Sequence, residues 1–130
     1  MRRIKTAIVL GLLLGASGAS AKDCSALATQ TDMNICEGEI FEKADARLND
    51  VYRRLAAKIS AKGKSKLVEA ERAWLTYRDL QCDFDTLGVE GGSIHGMMVA
   101  QCRTEMTKEQ TKRLERQLTC QEGDMSCGNQ

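Results

Sequence analysis

Six cysteines, at positions 24, 36, 82, 102, 120 and 127, constrain this chain more than any other feature. They follow what reads as a secretory leader. Arg2, Arg3 and Lys5 form a basic start, Ile8 to Leu14 lie in a short apolar stretch, and Ala19-Ser20-Ala21 matches an A-x-A cleavage signature. The apolar stretch is too short to span a bilayer and is expected to be removed after Ala21. Lys22 and Asp23 stand where a lipobox before Cys24 needs small uncharged residues, which argues against a lipid anchor. Export to the periplasm or beyond places the thiols in an oxidising compartment, where an even cysteine count reads as a disulfide framework. No C-x-x-C occurs, which disfavours a thioredoxin-like site or a zinc ribbon, and the absence of C-x-x-C-H removes covalent haem. Removing 21 of 130 residues leaves 109, enough for one domain. The expected organisation is a leader over 1–21, a helical domain over 22–118 and a cysteine-containing tail over 119–130.

The spacing of apolar residues predicts an all-α fold. From Cys36, the positions Ile40, Phe41, Ala44, Leu48, Val51, Tyr52, Leu55 and Ile59 recur at helical intervals. Thr31 or Asp32 is the expected N-cap, and Gly63 the expected stop after Ser60. A helix of about 28 residues is roughly 42 Å long, a spine for so small a chain. A second helix is expected from near Ser65 to Thr86–Gly88, burying Leu67, Ala70, Trp74, Tyr77 or Arg78, and Gln81 or Cys82. The cluster Gly88-Val89-Glu90-Gly91-Gly92-Ser93 then breaks the chain, with Ser93 as N-cap of a third helix. Met97, Met98, Gln101 or Cys102, Glu105 or Met106, Leu114 and Leu118 trace its expected buried face. No stretch alternates as a strand does, and the chain has no proline to interrupt long helices. The predicted architecture is a small antiparallel three-helix assembly stapled by disulfides.

Six cysteines permit 15 pairings, and sequence does not choose among them. Helical geometry supplies a preference. Cys82 ends the second helix and Cys102 lies about two turns into the third, so antiparallel packing brings them together across the glycine-rich loop. Cys24 can fold back onto Cys36, and Cys120 and Cys127 can close the tail on itself. The expected bridges are therefore Cys24–Cys36, Cys82–Cys102 and Cys120–Cys127, each contributing roughly 2–4 kcal/mol.

Charge and histidine count narrow the function. The chain carries 19 basic and 18 acidic residues, so it is no obvious nucleic-acid binder. Three basic residues leave with the leader, so 16 then face 18 acidic ones, a net of −2. The lysine-rich stretch Lys58 to Lys66 reads as a solvated turn. His95 is the single histidine. It excludes a multi-histidine metal site, and any Ser-His or Cys-His machinery would run through it alone. No cofactor and no metal is expected.

Several positions repeat a recognisable pattern. They are Asp32-Met33-Asn34-Ile35-Cys36, the run Asp45-x-x-Leu48-Asn49-x-x-Tyr52, and the block Trp74-x-x-Tyr77-Arg78-Asp79-x-x-Cys82. Gly91-Gly92-Ser93 and Cys102 complete the set. With these residues the chain resembles the LprI-type lysozyme inhibitor family from Cys24 to about Leu118. That resemblance implies a secreted, disulfide-held helical domain, some of whose members inhibit lysozyme. Gln110 stands where the family usually has an arginine, and the Cys120–Cys127 tail reads as an addition.

Asp45, Asn49 and Tyr52, at i, i+4 and i+7, are expected with Trp74 to form a structural polar layer, Arg78 pairing with Asp45 or Asn49 across the first two helices. The candidate binding residues are Glu90, Gly91, Gly92, Ser93 and His95 on the loop, with Arg78 and Asp79 beside it. A glycine-rich turn braced by Cys82 and Cys102 is suited to enter a cleft. Asp83, Asp85 and Glu90 supply acidity for a cationic partner. The leading expectation is a periplasmic or secreted protein-binding domain, a lysozyme inhibitor acting by steric occlusion without catalysis. The alternative is a cell-envelope adaptor or structural module; an envelope hydrolase using Asp45 or Asp79 ranks third.

Overall fold

The computed structural model describes residues 23–121 and 123–127, so the leader and its cleavage point lie outside the described residues. Among the described residues the chain forms three α-helices: α1 (Gln30–Lys58), α2 (Ala61–Asp85) and α3 (His95–Leu118). One-turn 3-10 helices lie at Cys24–Ala26 and Leu87–Val89, and no strand is found among the described residues. The all-α class is as the apolar spacing predicts.

Local chemistry sets the helix ends, and three differ from expectation. Thr29, two or three residues before the expected cap at Thr31 or Asp32, begins α1: its hydroxyl accepts from the Asp32 N–H at 3.1 Å and donates to the Asp32 carboxylate at 2.7 Å. Gly63 does not end anything. The chain breaks at Ile59-Ser60, and Ser60 Oγ accepts from the Gly63 N–H to cap α2, which places Gly63 inside the helix. A serine oxygen can hold a free helical N–H, so the cap outweighs the weak helix propensity of one glycine. Ser93 is not the α3 N-cap either. Ile94 takes that position without a side-chain bond, and the Ser93 carbonyl accepts from Asn34 Nδ2 of α1 at 2.9 Å.

Cross-helix contacts fix the directions. Asn34 meets Ser93, Glu37 meets Gln101 and Arg47 meets Glu115, so α1 and α3 run parallel. Glu71 meets Gln110 and Cys82 meets Cys102, so α2 runs antiparallel to α3. The most extensive interface joins α1 to α3, elements separated in sequence by all of α2.

That interface follows the 3-4 spacing of two packed helical stripes. On α1 it buries Ala44, Leu48, Val51 and Leu55; on α3 it buries Ala100, Thr104, Thr107, Thr111 and Leu114. Leu114 is buried as expected, but Met98 and Glu105 are exposed and Met97, Gln101, Cys102, Met106 and Leu118 are only half-buried, so the face otherwise differs from the expected one. Threonine is scored as polar, yet it has nearly the shape of valine and can hand its hydroxyl to the helix backbone. Thr111 does so, donating to the Thr107 carbonyl at 2.8 Å.

The large apolar core is confined to one half of the bundle, where Leu48, Val51, Leu55 and Leu114 are surrounded by Tyr52, Ile59, Leu67, Trp74 and Leu118. The other half is closed largely by small residues and by sulfur. Cys24–Cys36 ties the N-terminal segment to α1, and Cys82–Cys102 ties α2 to α3. Cys120–Cys127 closes the tail on itself. All three bridges are the expected ones.

The threonines support a paired test. Thr107 Oγ1 accepts from Arg78, whereas Thr104 Oγ1 is buried with no hydrogen-bond partner. Thr107→Val is expected to lower stability by about 1 kcal/mol, and Thr104→Val to raise it by a similar amount. Urea denaturation of the oxidised protein distinguishes the two signs.

Candidate functional site

The polar layer forms where all three helices meet. Arg78, on the inner face of α2, is 6% exposed. Its Nε donates to Asp79 Oδ1 at 2.9 Å, and one terminal nitrogen reaches Asp45 Oδ1 at 3.4 Å and Thr107 Oγ1 at 3.3 Å. The guanidinium also lies over the rings of Phe41, at 5.2 Å from the centroid, and Trp74, at 5.4 Å. One side chain thus contacts α1, α2 and α3. Asn49 Nδ2 donates to Asp45 Oδ2 at 2.9 Å, fixing that carboxylate from the exposed side. Tyr52 packs against the apolar core beside it. Asp79 Oδ1 also faces Arg103 Nε at 3.3 Å.

This geometry assigns the expected residues to two groups. Arg78 is an interior residue and belongs with Asp45, Asn49, Tyr52 and Trp74. A buried guanidinium cannot be a contact for a docking protein, so its inclusion among the binding candidates is corrected. Asp79 is held between two arginines. The loop residues Glu90, Gly91, Gly92 and Ser93 are all exposed. Gly91 adopts φ +76, a conformation that a side chain would strain. His95 is half-buried, with Nε2 at 3.3 Å from Thr86 Oγ1. The Thr86 hydroxyl donates its proton to the Cys82 carbonyl at 2.8 Å, which leaves His95 Nε2 as the donor between them. His95 therefore ties the start of α3 to the end of α2. Gly96, one residue on, lies against Asn34 of α1, the side chain that holds the Ser93 carbonyl.

Around this loop the charge is one-sided, a feature that the count over the whole chain conceals. Residues 23–42 and 79–102 contain nine acidic side chains and no lysine or arginine. Because α1 and α3 run parallel and α2 returns against them, both stretches lie at the same end of the bundle. The acids are Asp23, Asp32, Glu37, Glu39 and Glu42 on one stretch, and Asp79, Asp83, Asp85 and Glu90 on the other. The opposite end carries the lysines of the α1–α2 junction, now part of helices, together with Lys112, Arg113 and Arg116. The missing lysines were visible in the sequence. That the two gaps coincide in space was not, since that depends on helix directions.

The opposite end also holds a groove of about 470 Å³ between α2 and α3, floored by Leu55, Leu67, Trp74 and Leu114. Glu71 lines it and accepts from Gln110 Nε2. Burial raises the Glu71 carboxyl above its ordinary range, opposed by the Gln110 hydrogen bond and by the positive charge of Arg113. Gln110 meets this buried acid with a neutral donor. In the tail, Cys120, Asp124 and Cys127 come close together, but both sulfurs are in a disulfide and offer no thiolate to a metal.

A family model described as "Lysozyme inhibitor LprI" matches residues 21–114. The chain belongs to the LprI lysozyme inhibitor family. An uncharacterised protein of Rhizobium meliloti (strain 1021) is 35% identical over 105 residues, covering 71% of this chain and 76% of that protein. No solved structure matches the chain. The LprI match ends at Leu114, four residues before the end of α3, and leaves out the Cys120–Cys127 tail. LprI is a family of inhibitors rather than of enzymes.

Two tests separate the roles of the buried charges. Arg78→Met leaves Asp45 and Asp79 without their shared guanidinium and is expected to destabilise the domain by about 3 kcal/mol. Arg78→Lys keeps the charge but loses the planar fork and the ring stacking, so chemical denaturation is expected to show only a partial rescue. Glu71 titrates in the opposite sense from a salt-bridged acid. Its raised folded value means that ionisation costs stability at neutral pH and that this cost disappears as pH falls through that value. Glu71→Gln is therefore expected to raise the melting temperature by about 2–4 °C at pH 7, with the gain shrinking on acidification.

Proposed function

We propose that this protein is an exported lysozyme inhibitor that blocks the enzyme sterically, using the acidic end of the bundle and its glycine loop. The observation that carries the reading, beside family membership, is the gathering at that end of nine acids from two stretches that carry no lysine or arginine of their own. Lysozyme is cationic, and opposite potentials accelerate encounter and fix orientation. The loop over 88–93 is exposed apart from the half-buried Val89, and bridges flank it on both sides. Cys82–Cys102 joins the helices it connects, and Cys24–Cys36 holds the neighbouring end of α1. A loop braced in this way loses little conformational freedom on binding, which favours a tight complex. Three disulfides and an amino-terminal leader pattern agree with a periplasmic or secreted location. Among the described residues no helix is long and apolar enough to cross a membrane. The domain would comprise residues 22–118, with the tail as an appended loop.

The test is turbidimetric. Mature oxidised protein is mixed with lysozyme and a cell-wall suspension, and lysis is expected to slow in proportion to added protein. Unchanged lysis at large excess would refute the reading. Asp83→Asn/Asp85→Asn/Glu90→Gln is expected to weaken inhibition by roughly tenfold at low salt, with the gap closing as ionic strength rises. A salt-independent loss would point away from electrostatic steering.

A further inference from the structure

The outer face of α2 carries an apolar stripe that the fold does not use. Tyr77, Leu80 and Phe84 on α2 and Leu87 in the following 3-10 turn are 56%, 64%, 72% and 60% exposed. Their steps of 3, 4 and 3 align them on one side, away from the inner face that buries Glu71, Arg78 and Cys82. Single exposed apolar residues are ordinary, but four large ones in a row on one helical edge mark an interaction surface.

The flanking charge identifies the occupant. At 100° per residue, Asp83 borders the stripe on one side and Asp85 on the other. No lysine or arginine lies between Asp79 and Cys102. Arg103 of α3 is itself mostly buried and reaches Asp83 only at 3.9 Å. A second copy docking face to face would set these acids against their own counterparts, and an anionic lipid surface would repel them. A cationic protein with an apolar depression matches both the stripe and its rim.

We propose that Tyr77, Leu80, Phe84 and Leu87 are the apolar anchor with which this protein grips its cationic target, the acids on either side guiding the approach. The inference rests on the inhibitor reading above and moves the main contact from the loop tip to the α2 face beside it. A few closely packed anchors, aromatic ones such as Tyr77 above all, carry most of the binding energy in many protein complexes, the surrounding contacts mainly excluding water.

The variant Leu80→Ser/Phe84→Ser tests this, with Phe84→Ala as a milder version and Met125→Ser, in the fully exposed tail loop, as control. Inhibition of lysozyme is measured by turbidity, fold by circular dichroism and mass by light scattering. The expected result is a loss of inhibition of roughly 30-fold or more for the double variant, a smaller loss for Phe84→Ala and none for Met125→Ser, all folded and monomeric. Full potency in a folded double variant overturns the anchor while leaving the inhibitor reading intact. A wild-type protein that does not slow lysis overturns both. A wild-type dimer that the double variant converts to monomer assigns the stripe to self-association and also overturns the proposal.

Discussion

The fold depends on one buried cation. Arg78 lies where the three helices converge and satisfies acceptors on each: Asp45 on α1, Asp79 on its own helix and Thr107 on α3. Removing a guanidinium from water costs on the order of several kcal/mol, and an isolated one would not stay buried. Here two carboxylates, a threonine hydroxyl and two aromatic faces replace the lost hydration. The arrangement also specifies geometry. The guanidinium fork is planar, so α1, α2 and α3 meet its donors in only a few relative positions, whereas an apolar contact would tolerate sliding.

Such a specifying contact matters because the apolar core is small and lies to one side. Leu48, Val51, Leu55 and Leu114 hold the basic half together. Toward the acidic half the interface narrows to alanine, threonine and cysteine, which bury little apolar area. Two of the three disulfides are found in that half. Crowding nine carboxylates at one end also raises a repulsion that the bridges help the chain to withstand. The result is a rigid acidic end built without a large core, and its surface is left to side chains such as Phe84 and Leu80 that a core would otherwise have claimed.

Much of this was legible in the sequence. The α1 stripe emerged directly because leucine and valine at helical spacing admit one reading. The three bridges followed from short separations and helix geometry. The role of Arg78 was accessible as well, since an arginine on an inner helical stripe must find a carboxylate. Other features were hidden for identifiable reasons. The α3 interface runs through Thr104, Thr107 and Thr111, which hydropathy counts as solvent-facing. Gly63 read as a stop because the competing cap, Ser60, lies only three residues before it. Spacing admits Tyr77 or Arg78 on the buried face; Arg78 takes it and Tyr77 lies outside, because one step along a helix turns a side chain by 100°.

The sequence by itself determined the class of molecule: a helical, disulfide-bonded chain of the LprI family with one histidine and a nearly balanced charge. These are properties of composition and short-range spacing, and they hold whatever the packing. Tertiary structure alone decided how that charge is distributed. A nearly balanced count of 19 basic and 18 acidic residues reveals nothing of a molecule whose one end draws on two stretches free of lysine and arginine and whose other end carries the lysines. The polarity arises because α1 and α3 run parallel and α2 returns between their ends, bringing two lysine-free stretches together from distant parts of the chain. Helix direction is set by which faces can bury one another, and for α1 and α3 those faces join Leu48, Val51, Leu55 and Leu114 with a row of threonines and one buried arginine.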